Sequence, residues 1–278
     1  MKKILLLIFI FASIKINAQY YDNCIVDNVN FFIAKNLANK NIRDADVKLL
    51  KENKVRIIKI STGEGKITGK VSVNLHGQIE NYMVFDEADE MLEEEYRFGY
   101  DMEGNLVSCT VKGDGISLSH IFTYENNMLA SVDVDSLGFA SQYVIARDEQ
   151  NRILKTTLFD LQKDSLIQKY FYHYDENNRV IKITDENYEQ IFYKMSYGKN
   201  RVSVSIPLYI TDSYEYENDR ITNEAQEFPM KTSQSRKAGK ITFTEKYSYL
   251  QNGLIESVKI TGSKTGSTVE KYEYAFYE

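Results

Sequence analysis

The chain has 278 residues, 43% hydrophobic and 27% charged, with a formal net charge of −6 and a mean hydropathy of −0.41. That balance excludes a wholly disordered chain and a helical membrane bundle. Two Pro, no Trp, 21 Tyr and 14 Phe favour strands over strand breakers, and three His and two Cys leave few ligands for a metal centre.

Met1-Lys2-Lys3 is basic, Ile4 to Ala12 is an unbroken apolar run, and Ser13 to Ala18 is short and ends on a small residue. This is the layout of a secretory signal peptide over residues 1–18. The run is shorter than the roughly 20 apolar residues of a membrane span. Cys24 is too far from Ala18 to carry a lipid anchor. Loss of Lys2, Lys3 and Lys15 makes the exported chain three charges more acidic. Such a chain is poorly suited to nucleic acid, which demands phosphate neutralisation, and export separates it from nucleotide pools. Cys24 and Cys109 could pair in an oxidising compartment or stay as buried thiols.

Residues 19–54 read as an N-terminal cap segment. Asp44 is placed to cap a short helix from Ala45 to Asn53 with Val47 and Leu50 on one side, and the segment is expected to plug or cover an exposed sheet edge. Val55 to Ile60 is the first strand. Further on, Val84-Phe85-Asp86-Glu87-Ala88-Asp89-Glu90 resembles the Walker B segment of DEAD-box helicases, and Ser61-Thr62-Gly63-Glu64-Gly65-Lys66 resembles a damaged phosphate loop. Ile67 replaces the hydroxyl such a loop gives to its metal. The short interval between the two segments has no room for an alternating α/β sheet. A polar turn between two strands is the expectation for Asp86 to Glu90.

Residues 55–278 repeat a unit about 24 residues long, a period that marks repeat architectures. Phe98-Gly99-Tyr100-Asp101-Met102-Glu103-Gly104-Asn105-Leu106 and Tyr172-His173-Tyr174-Asp175-Glu176-Asn177-Asn178-Arg179-Val180 match position by position. Asp148 to Ile153 keeps the turn without the aromatics. Shorter copies begin at Phe122, Met195, Tyr214, Tyr247 and Tyr272. Residues i and i+2 of a strand share a face, so each aromatic-x-Tyr puts two rings on one side. Asp at the first turn position accepts backbone hydrogen bonds, and Gly or Asn at the fourth tolerates positive φ. Asn218-Asp219 and Asn252-Gly253 suit two-residue hairpins. The prediction is an all-β, antiparallel up-and-down meander of about 14–18 strands, as a twisted sheet or a curled or closed barrel.

These motifs resemble the YD repeats of Rhs-type bacterial secreted proteins, and are similar to those of uncharacterised exported bacterial domains with a porin-like meander. The resemblance covers roughly Val71 to Tyr274 and implies a fold habit, with no activity attached.

No catalytic, cofactor-binding or metal-binding residue is expected. His76, His120 and His173 lack ligand spacing. Ser117 and Ser119 lie near His120 without a nucleophile elbow. Asp101, Asp148, Asp175 and Glu217 are explained by turns rather than calcium, and the Tyr stripe by cross-strand packing rather than sugar stacking. Glu224 to Lys240 reads as a long polar loop with a basic patch of Lys231, Arg236, Lys237 and Lys240. The expected function is a non-enzymatic exported scaffold or binding module of the cell envelope, periplasmic or extracellular, with an unknown protein or glycan partner. The alternatives are an outer-membrane β-barrel, which would insert only if closed, and a secreted glycan-binding protein or hydrolase.

Overall fold

The computed structural model describes Val29, Asn30, Ile33 and residues 40–113, 116–136, 139–206, 210–217, 220–230, 239–263 and 266–278. Residues 1–18, where a signal peptide is expected, and Cys24, Asn218, Asp219, Lys231, Arg236 and Lys237 lie outside the described residues.

Val29, Asn30 and Ile33 are helical and buried. Helix α1 spans Lys40–Glu52. It starts earlier than Asp44 would set it, because Asp44 is tolerated on an exposed face inside the helix. At its other end the Asn53 side-chain amide donates to Leu49 O at 3.0 Å, and Lys54 turns the chain with a φ of 53°, a left-handed helix stop.

Eighteen strands follow. The first six are β1 Val55–Thr62, β2 Ile67–Val73, β3 Ile79–Phe85, β4 Leu92–Tyr100, β5 Leu106–Gly113 and β6 Ile116–Glu125. The next six are β7 Met128–Ser136, β8 Phe139–Arg147, β9 Ile153–Asp160, β10 Ser165–Tyr174, β11 Val180–Thr184 and β12 Ile191–Tyr197. The last six are β13 Arg201–Ile206, β14 Ile210–Glu217, β15 Arg220–Met230, β16 Gly239–Tyr249, β17 Ile255–Gly262 and β18 Gly266–Phe276. Each pairs antiparallel with the next, and β18 pairs antiparallel with β1 through Ile58↔Tyr274 and Ile60↔Tyr272. The sheet is therefore a closed barrel, which removes its edges. The N-terminal segment consequently has no edge to cover. Gly77, with a φ of 81°, lies where any Cβ would strike Val47 O, so α1 lands on the turn between β2 and β3.

Glu224 to Met230 forms the end of β15, and Gly239 opens β16, so the described residues of the polar loop expected at 224–240 are strand instead. Polar residues at inward positions, Glu224 and Gln226, hid the alternation. Lys240 lies on β16 and pairs with Glu227 at 2.6 Å.

Alternation divides the barrel wall. Inward side chains such as Val71, Tyr82, Tyr96, Cys109, Val132, Ile183, Val204 and Val258 are almost wholly buried; the main core joins most strands with Val29 and Ile33, and Tyr214 and Ile221 form a smaller cluster against Tyr216 and Tyr247. Outward positions along the strands are filled largely by Lys, Ser, Thr, Glu and Asn, with Lys70, Arg97, Lys112, Lys194, Glu215, Lys246, Lys259 and Lys271 exposed.

The repeat has a physical purpose at one end of the barrel, the repeat end. Asp101, Asp148 and Asp175 open equivalent turns closed by backbone bonds to Gly104, Asn151 and Asn178, whose φ values are 86°, 62° and 59°. The Asp175 carboxylate accepts from Asn177 N and Arg179 N, both at 2.9 Å. The Tyr before each turn reaches back to the preceding hairpin. Tyr100 Oη donates to Ile79 O, Tyr124 to Leu106 O, Tyr174 to Ile153 O, Tyr197 to Val180 O and Tyr274 to Ile255 O, at 2.8–3.1 Å. Tyr249 makes the same bond to Ile221 O, and Arg147, standing where Tyr would be, donates to Leu129 O at 3.0 Å. Arg152 lies over the Tyr174 ring at 4.8 Å and Arg179 over Tyr197 at 4.5 Å. Tyr174, Tyr197 and, under Arg220, Tyr249 are thus held on the face by a cation and at the hydroxyl by the carbonyl of the residue after that cation.

Two turns differ from expectation. Leu250 to Gly253 closes like the Asp turns, with Leu250 N bonded to Leu254 O, rather than as a two-residue hairpin at Asn252-Gly253. Asn74 opens one more copy, taking His76 N and Gln78 N on its Oδ1.

Candidate functional site

Two features interrupt the apolar interior. The first is a set of acid-x-Tyr pairs on strands that run toward the repeat end: Glu94 and Tyr96 on β4, Asp212 and Tyr214 on β14, Glu245 and Tyr247 on β16, Glu270 and Tyr272 on β18. Spacing of two keeps both side chains inward. Tyr96 Oη donates to Glu94, and Tyr272 Oη reaches Glu270 Oε2 at 3.4 Å. Glu224 lies directly opposite Glu245, and both are buried. Tyr247 Oη meets Glu245 Oε2 at 3.0 Å and Glu224 Oε2 at 3.3 Å. Burial, then these two carboxylates, push the Tyr247 phenol well above its ordinary range, so it remains a hydrogen-bond donor. The layer couples phenols to carboxylates inside the wall. Among the described residues no three His, Cys, Asp or Glu are grouped to hold a metal ion.

The second feature is the helical cap at the repeat end. Asp46 of α1 faces Tyr249, Leu254, Tyr272 and Tyr274 across a narrow crevice. Burial raises its carboxyl to about 7, against the opposing pull of Arg220. Deeper in the barrel, Asn30 Oδ1 accepts from Tyr172 Oη at 2.8 Å and from the Thr156 hydroxyl. The N-terminal segment is therefore tied into the lumen by hydrogen bonds as well as by Val29 and Ile33.

The residues weighed from sequence are dispersed. Lys66 Nζ donates to Glu87 O at 3.0 Å, and Asp86 N and Met91 O close a turn between β3 and β4, so the helicase-like segment is a hairpin end. Ser119 and His120 face opposite sides of β6. His120 is buried, which lowers it to about 4. His173 contacts Thr184 Oγ1 at 2.9 Å and meets the Tyr188 ring at a tilt of 56°, while His76 is exposed in a turn. Asp101 is held below the usual carboxylate range by the Asn105 side chain, and Asp175 by bonds from Arg179, as turn acceptors. Cys109 is buried on β5. The acid-x-Tyr recurrence is the signal that sequence reading passed over; it is visible only when the strands' facing is known.

No family model and no curated protein matches the chain. Among solved structures, it is similar to a porin-like protein from Bacteroides uniformis ATCC 8492, at 11% identity and a TM-score of 0.40, covering 80% of this chain and 97% of that one. A porin-like protein from Bacteroides vulgatus ATCC 8482 aligns at 9% identity and a TM-score of 0.31 over 79% and 99%. A chain of the Photorhabdus luminescens Tc holotoxin pore aligns at 13% identity and a TM-score of 0.23 over 72% and 11%. These likenesses assign no activity, and function rests on the barrel's own walls.

Proposed function

We propose that the chain is an exported, non-catalytic β-barrel of the cell envelope whose outer wall stands in water and serves as a scaffold or binding surface. The observation that carries this reading is the distribution of polarity across the wall. A membrane-spanning barrel presents an apolar band about 25 Å tall to lipid and a polar lumen. Here Lys70, Arg97, Lys112, Lys194, Lys246 and Lys259 point outward, and the inward positions form a packed core. Among the described residues the lumen is packed with Val, Ile and Tyr side chains, joined by Val29, Asn30 and Ile33 of the N-terminal segment.

The second reading is an outer-membrane barrel, favoured by closure with an even number of antiparallel strands. Expression with its own leader followed by fractionation separates the two. The water-facing barrel is expected in the soluble fraction, monodisperse without detergent. Recovery only from detergent-extracted membranes would replace the first reading with the second.

A further inference from the structure

We propose that the outward wall over β16, β17, β18, β1 and β2 binds an acidic polysaccharide. Five lysines form an oblique row across these neighbouring strands. Lys246 lies directly opposite Lys259, and Lys59 directly opposite Lys70. Lys271 joins the two pairs: its partners Ser257 and Ser61 each lie two residues from Lys259 and Lys59. Directly opposed side chains stand about 5 Å apart and diagonal ones about 7–8 Å. Like charges placed opposite one another destabilise a sheet, so folding alone disfavours both pairs.

The row is scarcely neutralised. Glu273 approaches Lys59 at 3.7 Å, with both side chains substantially exposed, a contact of small energetic value. Among the described residues, Lys70, Lys246, Lys259 and Lys271 make no ion pair. On a chain of net charge −6, a local line of positive charge confines polyanion binding to this wall. A uronic-acid polymer carries one carboxylate per ring, in a line, and each ring has a length of the order of the strand spacing. The hydroxyls of Ser72, Ser257 and Thr261 lie on the same outward face and suit sugar hydroxyls. No exposed aromatic ring stands among the five lysines, so the platform on which single-stranded nucleic acid stacks its bases is missing.

The inference rests on the wall facing water. Protein that needs detergent fails that earlier reading, whereas soluble protein that ignores the polymer fails only this one. The test is native affinity electrophoresis of the purified protein through gels containing sodium polygalacturonate, with neutral dextran as control. Retardation by polygalacturonate, lost on adding salt and absent with dextran, is expected. The quadruple variant Lys59→Gln, Lys70→Gln, Lys246→Gln, Lys259→Gln should bind roughly tenfold or more weakly through lost charge contacts, while its melting temperature equals or exceeds the parent's because two like-charge oppositions are relieved. Lys182→Gln with Lys194→Gln, which removes an opposed pair on another wall, should bind as the parent does. Lys271→Glu, a single reversal in the middle of the row, gives a second route should the quadruple variant misfold, and is also expected to weaken binding. Absence of retardation at low salt overturns the inference. So does equal retardation of the row variants and the parent, or binding confined to vesicles containing phosphatidylglycerol, which would assign the wall to a lipid surface.

Discussion

Tyr174 concentrates the logic of the repeat in one side chain. Its ring is half-buried under Arg152, and its hydroxyl bonds Ile153 O on the neighbouring hairpin. Tyr174→Phe keeps the ring and loses the bond, and should cost about 1 kcal/mol in a denaturant titration. Asn178→Ala should cost about 1–2 kcal/mol, because φ is 59° there and a Cβ without a local hydrogen-bonding group is disfavoured in that region. Reversal of that order would mean that the bond, rather than the turn, sets hairpin stability. The turn chemistry was legible in the letters: Asp, then Gly or Asn three residues on. The tyrosine's bond was not, because its acceptor is a main-chain carbonyl, which leaves no mark on residue identity. Arg147 illustrates this. It donates the same bond to Leu129 O, yet in sequence it reads only as a lost aromatic.

Helix α1 is the element whose docking depends on protonation. In the unfolded chain Asp46 ionises near 3.8, and in the docked helix near 7. The folded state therefore holds its proton more tightly between these values, and stability falls as pH rises from about 4 to about 7 before levelling off. Asp46→Asn should abolish that decline. The melting temperature of the variant should exceed that of the parent by a margin that is small at pH 5 and larger at pH 8. A margin independent of pH would show that Asp46 stays ionised in the docked helix. The helix itself was visible as Val47 and Leu50 on one side of a short segment. What it covers is a barrel end and not a sheet edge, because whether an edge exists depends on a pairing between β1 and β18 more than two hundred residues apart. The inward acids were missed for a related cause: Glu224 and Glu245 look like surface residues until strand facing is known.

At the scale of the whole barrel, every sheet contact but one joins neighbours in sequence. Removing residues 266–278 deletes β18 and exposes the facing backbone of β1 and β17. Unpaired strand edges recruit other chains, so the truncated protein should associate into large species by light scattering, and a stable monomer would show that closure is dispensable. Closure also constrains how such a protein can change size. The last strand meets the first antiparallel only when their directions differ, which demands an even count. Duplicating or deleting one complete tyrosine–turn unit adds or subtracts two strands and preserves the direction of the seam, so barrels of neighbouring circumference are reachable by a single genetic event. Gain or loss of half a unit would bring the terminal strands together pointing the same way, and the ring would have to find a new seam or stay open.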